Sequence, residues 1–249
     1  MVGMAPLWPV LYEMKQPMSS LDRSLLAAAP AFARLTGEEM DAVLAYARSV
    51  RYPKGDAVFE QGGQADSFFV LLDGNLQVVK LTPAGQQVVI RYVVPGELFG
   101  IAVQMGRPHY PATAIAVMDS VALVWPSSSW PSILSRCPAL ADSALRIVGA
   151  RLDDAHVRVV EMSTEEVERR IAHALLRLIK QAGRKVEDGI QISFPITRED
   201  VAQMTGTTLH TVSRTLSGWE ARGLVEGGRK KIVVRDAHGL FKLAEGTKE

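Results

Sequence analysis

TREDVAQMTGTTLHTVSRTLSGWEAR, residues 197–222, is the most informative stretch of this chain. Thr197 followed by Glu199 and Asp200 has the chemistry of a helix start: a hydroxyl to cap free N–H groups, and acids against the positive end of the helix dipole. Val201, Ala202, Gln203 and Met204 continue that helix. Thr205-Gly206-Thr207 then reads as a turn, and a second helix begins at Thr208 or Leu209 and runs through Val212, Leu216 and Trp219. Two helices that cross closely need a small residue at the crossing, a residue tolerant of positive φ in the turn, and a core aliphatic in the second helix. Ala202, Gly206 and Val212 supply these in order, so the spacing predicts a helix-turn-helix.

The second helix is expected to bury Leu209, Val212 and Leu216 and to expose Thr208, His210, Thr211, Ser213, Arg214 and Ser217. Short polar side chains around one arginine suit a major groove, where a guanidinium pairs with guanine through two hydrogen bonds. Residues 223–234 follow as a β-hairpin with Gly227-Gly228 at its tip and Arg229, Lys230 and Lys231 behind it, a wing placed to touch phosphate. Net charge is only +1 over 249 residues, but residues 164–249 carry 15 Lys/Arg against 12 Asp/Glu. The candidate partner is double-stranded DNA.

Working towards the amino-terminus, Ser163-Thr164-Glu165-Glu166 reads as a cap for a helix whose apolar face is Val167, Ile171, Ala174, Leu175, Leu178 and Ile179, stopped at Gly183. Before it, Ala141, Leu145, Val148, Leu152, Ala155, Val159 and Met162 recur in alternating steps of four and three. That 3.5-residue period is a coiled-coil seam, and it predicts a homodimer. Earlier still, short apolar runs at Asp56–Glu60, Ser67–Leu72, Leu76–Leu81, Gln86–Val94, Ala112–Met118 and Val121–Trp125 alternate with glycine turns, the pattern of a small β-barrel or sandwich. Residues 37–48 have helical spacing.

Composition sets bounds. With 47% hydrophobic and 22% charged residues the chain has ample core material, and it holds no uncharged apolar run of the ~18 residues a membrane span needs. No membrane partner is expected. The run from Ala5 to Tyr12 has no basic residue before it and no evident cleavage site, so a cytoplasmic protein without a signal peptide is expected. Met18 would serve equally well as a start. One cysteine, Cys137, excludes a disulfide and a Cys-ligated iron–sulfur cluster within the chain. No Ser/His/Asp or Cys/His arrangement is apparent. A cupin-type metalloenzyme, the weakest alternative, needs clustered histidines, and the barrel region holds only His109.

Barrel, long helix and winged helix-turn-helix in this order resemble the Crp/Fnr family of bacterial transcription regulators, from about residue 21 to 245. The residues that carry the resemblance are Asp73-Gly74, Pro95-Gly96-Glu97-Leu98-Phe99-Gly100, Thr197-Arg198-Glu199-Asp200-Val201-Ala202, Gly206 and Thr211-Val212-Ser213-Arg214. Ser213-Arg214 match the end of the Fnr branch's Glu-x-x-Ser-Arg; His210 stands where that branch has glutamate. The resemblance implies an α+β chain: an extension over 1–20, a cyclic-nucleotide-binding-like (cupin-like) β-barrel over 21–135, a dimerisation helix over 136–163 and a winged helix-turn-helix over 164–249. It implies a homodimer on a palindromic operator, gated by a small effector in the barrel, with RNA polymerase as a further partner. A constitutive DNA-binding dimer with a non-sensing barrel is the alternative.

For cyclic nucleotides the family pattern places a glutamate shortly after Phe-Gly and an Arg-[Ser/Thr]-Ala triplet about ten residues later. Here Ile101 follows Phe99-Gly100, and Tyr110-Pro111-Ala112 stands at the triplet, which argues against cyclic AMP. Haem stays open. Met105, His109 and Cys137 are each competent axial ligands, and Gly106 to Thr113 is similar to the corresponding stretch of Fnr-branch nitric-oxide-responsive haem regulators. Phe99, Gly100, Ile101, Met105, His109 and Tyr110 are therefore the candidate effector pocket, and the effector's identity is unknown. His156 and His173 fall on helices and are read as structural or solvated.

Overall fold

Phe68-Phe69-Val70-Leu71-Leu72 is buried along its whole length, which a strand achieves only when both of its faces are covered. In the computed structural model, which describes residues 26, 27 and 29–246, this is what happens. The extension over 1–20 and the alternative start at Met18 lie outside the described residues. A helix, α1 (Gly37–Leu44), precedes eight strands: β1 (Arg48–Tyr52), β2 (Ala57–Phe59), β3 (Ser67–Asp73), β4 (Leu76–Leu81), β5 (Gln87–Val93), β6 (Leu98–Phe99), β7 (Thr113–Ala116) and β8 (Ser120–Pro126). They form two antiparallel sheets, ordered β1-β8-β3-β6 and β2-β7-β4-β5. Phe69 and Leu71 point into the core between the sheets, with Leu76, Val93, Phe99, Ala114 and Val124. Phe68, Val70 and Leu72 point the other way and join Phe32, Met40, Val43, Trp125, Ile133 and Leu140 in a second core.

Six of these strands lie on the expected runs. β1 and β6 do not, and the helix expected over 37–48 stops at Leu44, with Ala45 as its cap. Ala45 to Arg48 has good helix formers, but pairing wins over propensity: Arg48 to Tyr52 aligns with Val124 to Ser120 and closes the edge of the sheet. The β3–β4 turn depends on Gly74, which sits at φ +86° with Ser120 Oγ only 2.3 Å from where a Cβ would be and the Asp119 carbonyl oxygen 2.6 Å from it. Gly74→Ala therefore meets both a left-handed backbone and a clash, and is expected to lose about 2–4 kcal/mol. At about 2–4 °C per kcal/mol for a domain of this size, the thermal midpoint should drop visibly. An unchanged melting curve would contradict this packing.

After α2 (Trp130–Arg136), α3 (Ala139–Thr164) runs for 26 residues. Leu140 and Ser143 are buried on its barrel side, and the Arg151 and Arg158 guanidinia donate to the carbonyl oxygens of Leu98 and Ile90. The cap expected at Ser163 is not there. Ser163 and Thr164 still belong to α3, their hydroxyls donating back to the Val159 and Val160 carbonyls at 2.7 and 2.8 Å. The chain instead breaks at Glu165, which is extended, and Glu166 holds the N-cap position of α4 (Val167–Ala182) without a side-chain capping bond. Back-bonding to the preceding turn satisfies these hydroxyls inside a helix, so a Ser-Thr pair ahead of acids is not by itself a boundary.

The carboxy-terminal unit continues with β9 (Gly183–Val186), β10 (Gly189–Ile192), α5 (Arg198–Thr205), α6 (Leu209–Ala221), β11 (Val225–Gly228), β12 (Lys231–Val234) and α7 (Ala237–Glu245). Its sheet is ordered β11-β12-β10-β9. Ile171, Leu175, Leu178, Phe194, Val201, Val212, Leu216, Trp219, Val234 and Leu240 form one core, which extends onto Val79, Val89 and Tyr92 of the barrel.

Candidate nucleic-acid interface

The two helices of the motif are fixed by their caps and by three side-chain ties. Thr197 Oγ1 accepts from the Asp200 N–H at 3.1 Å while Asp200 Oδ2 accepts from the Thr197 N–H at 2.7 Å, a reciprocal capping box. Gly206 ends α5 at φ +63°, the left-handed cap the spacing predicted. Thr208 caps α6, its hydroxyl accepting from the Thr211 N–H at 3.1 Å and lying 2.9 Å from the Thr211 hydroxyl. Trp219 Nε1 donates to Glu168 at 2.8 Å, tying α6 to α4. Arg198 pairs with Glu220 at 2.9 Å and reaches the Ser213 carbonyl at 3.5 Å, tying the start of α5 along α6.

Val212 and Leu216 are buried as expected, Trp219 is buried with them, and Thr208, His210, Arg214 and Ser217 are exposed. Thr211 and Ser213 are half-buried rather than exposed. Leu209 departs from expectation: it is 47% exposed. It is the first residue of α6, three residues and just under one turn ahead of the buried Val212. Arg214 forms no hydrogen bond or ion pair among the described residues, so its fork is available to a ligand.

The wing is a two-residue hairpin. Gly228 pairs with Lys231, so Gly227-Gly228 lies in the ladder and the tip is Arg229-Lys230. Lys230 carries φ +59°, the one non-glycine residue at positive φ among the described residues. The Gly227 backbone lies against Glu220: a Cβ there would fall 2.3 Å from its carboxylate. Glu226 pairs with Arg235, which holds its exposed carboxyl below the usual range, and Arg235 also reaches Asp188 at 3.4 Å. With that acid neutralised, Arg229, Lys230 and Lys231 stand exposed at the hairpin end.

The barrel residues expected to form one pocket are spread over three environments. Phe99 and Tyr110 lie in the inner core, Ile101 in the outer one, and Met105 and His109 are exposed. Gly100 turns at φ +71° with no room for a side chain against the Phe69 ring. Rings of Phe59, Phe69, Phe99 and Tyr110 pack together, with Phe59 stacked on Tyr110 at 4.0 Å. The Tyr110 hydroxyl donates to the Ser67 carbonyl at 2.6 Å, and burial pushes its pKa up to about 12. Cys137 is fully buried in the outer core with its thiol on the Glu39 carbonyl at 3.3 Å, and burial pushes that thiol up, away from the thiolate a metal would need. These donors do not converge on a haem, and no group of three His, Cys, Asp or Glu able to hold a metal occurs among the described residues.

A contact the sequence did not announce joins the two units. Gln77, on β4, is buried and donates to the Tyr92 hydroxyl at 3.1 Å and to Asp200 Oδ1 at 2.8 Å. Asp200 thus caps α5 with one oxygen and holds the barrel with the other. Burial, and next the Asp200 carboxylate, push the Tyr92 hydroxyl well above its ordinary value. The Tyr92 ring lies 4.3 Å from Phe194, and Gln181 of α4 donates to Glu97 at 2.9 Å. Gln77 reads as a solvent-facing position of a barrel strand; only the docked helix makes it a buried one.

Among the described residues no helix is long and apolar enough to cross a membrane. Residues 49–137 match the family model of the cyclic nucleotide-binding domain, and residues 169–243 that of the Crp-like helix-turn-helix domain. The chain is similar to the cyclic AMP receptor protein of Thermus thermophilus, 29% identical over 221 residues that cover 89% of this chain and 99% of the relative. Among solved structures, the catabolite activator protein of Thermus thermophilus is 30% identical, with 88% of this chain and 100% of that one covered at a TM-score of 0.51. FixK2 from Bradyrhizobium japonicum shares the fold at a TM-score of 0.70 and 23% identity, over 79% of this chain and 96% of its own. This chain belongs to the Crp/Fnr family of transcription regulators, and it is a DNA-binding regulator rather than an enzyme.

Proposed function

We propose that the protein works as a homodimer whose two α6 helices read an inverted repeat, with half-sites about one helical turn apart. The observation that carries this is the free Arg214 on an exposed, mostly polar face of α6, flanked by a cationic wing. The dimer seam is supported by the single chain leaving Leu145, Leu152, Val159 and Met162 uncovered on one stripe, with Ala141 and Ala155 exposed between them. Two of the stripe are shared: Val148 packs partly on the barrel's outer core, and the end of the Met162 side chain lies against Gly206. Footprinting of a selected site should give a two-fold symmetric protected segment; protection of one isolated half-site would contradict the reading. The units are a barrel up to about residue 135, a dimer helix that ends at Thr164 rather than 163, and the winged helix-turn-helix beyond. A chromosomal target places the work in the cytosol, with RNA polymerase as the further partner.

In this reading the barrel gates the DNA-binding unit, and the Gln77–Asp200 hydrogen bond supports such coupling because it joins a barrel strand to the cap of α5. The effector is a small ligand other than cyclic AMP. Ile101 and Tyr110 offer neither the carboxylate for a ribose hydroxyl nor the guanidinium for a cyclic phosphate, and both are packed in cores. Calorimetric titration should show no cyclic AMP binding tighter than about 10 μM, roughly −7 kcal/mol; tighter binding would overturn this. The filled aromatic interior also favours a second reading, a barrel that senses nothing. Dialysed protein binding its operator at full strength without any added small molecule would decide for it.

A further inference from the structure

Leu209 is the one large apolar side chain that α6 leaves in solvent, since Val212, Leu216 and Trp219 are all buried. A lone exposed leucine needs no explanation on an ordinary surface. This one occupies the first position of the helix, directly after the Thr208 cap, and the amino-terminal residues of a recognition helix are those that meet base edges. Helical spacing puts Leu209 at the border between the buried stripe of Val212 and Leu216 and the polar face, beside Ser213, which in turn neighbours His210 and Arg214. In the major groove only thymine presents an apolar group, its C5 methyl; the other three bases offer N–H donors, carbonyl or ring-nitrogen acceptors, or a bare C–H.

We propose that Leu209 is a specificity-determining residue that reads the C5 methyl of a thymine in each half-site. This deepens the reading of α6 as a major-groove helix and rests on it. Closing the leucine over the methyl removes apolar surface of both from water. Any other base at that pair leaves the side chain against a polar edge. Arg214 supplies the hydrogen-bonded part of the recognition, and Leu209 supplies a contact that reads shape and hydrophobicity.

The test uses the full-length protein and a DNA site selected by it from a random pool. Each thymine of the half-site is replaced in turn by uracil, which deletes the methyl and leaves every hydrogen-bonding group in place. One such replacement should weaken binding about fourfold in one half-site and about sixteenfold when made in both, the worth of one buried methyl group each time. Leu209→Ala, an exposed position that leaves the core untouched, should abolish that difference between thymine and uracil, and Leu209→Ile should retain it. Placing 5-methylcytosine at the same position should bind the wild type better than cytosine does. Uniform affinity for thymine and uracil at every position, with sequence-selective binding intact, overturns the role of Leu209 while sparing the groove assignment. A wild type that selects no sequence at all overturns the groove assignment itself.

Discussion

Leu152→Asp should leave the protein monomeric at micromolar concentration. Leu152 lies mid-seam on α3 and is 54% exposed in the single chain, so the substitution costs the isolated subunit little. In a parallel two-stranded seam the residue meets its own symmetry mate, and the variant would bury two like charges side by side with no partner for either. The loss is several kcal/mol, enough to raise the dissociation constant by about a thousandfold. Sedimentation equilibrium measures it directly, and circular dichroism at the same concentration checks that the helices persist. DNA affinity should fall with the dimer, because a monomer holds only one half-site. If the variant sediments as a dimer, α3 is not the interface.

Arg214→Ala should carry the second large effect. The guanidinium stands on the exposed face one turn beyond His210 and has no partner among the described residues. Its fork matches guanine O6 and N7, worth about 1–3 kcal/mol, so a site with two half-sites loses about 2–6 kcal/mol. The fold should be unaffected: Ser213 to Ser217 is held through Val212 and Leu216 in the core and through Arg198 on the Ser213 carbonyl. A titration in which Arg214→Ala binds the selected operator as tightly as wild type would remove Arg214 from the interface.

What the sequence could announce was whatever local physics settles. The Thr197 cap, the left-handed Gly206 and the buried Val212 are dictated by a few neighbouring residues, and all three stand where their spacing placed them. Leu209 misled because one-face periodicity treats the first residue of a helix like the rest. The first residue carries the same period but stands 47% exposed. β1 was hidden for a related reason, since its burial pattern is too weak to read as a strand and the pairing with β8 supplies what the residues do not. Gly227-Gly228 drew the hairpin tip towards itself, but register is a two-strand property, and it moved the tip to Arg229-Lys230. The Gln77–Asp200 contact spans 123 residues, and nothing in either segment alone marks it. The candidate effector residues clustered in sequence and dispersed in space, because Phe99 ends a strand on the inner core, the backbone turns away at Gly100, and Met105 and His109 lie on the exposed segment beyond it.

The division of labour between reader and anchor can be put to a single measurement. Wild type, Arg214→Ala and Lys230→Ala are each used to select bound sequences from a random DNA pool at one fixed salt concentration. Arg214→Ala should yield an inverted repeat that has lost its preference at one base pair in each half-site. Lys230→Ala, exposed at the wing tip, should yield the wild-type motif at uniformly lower affinity, with the salt slope shallower by about one for each phosphate no longer neutralised. An unchanged motif from Arg214→Ala together with an altered one from Lys230→Ala would contradict the assignment of α6 as the reader of sequence.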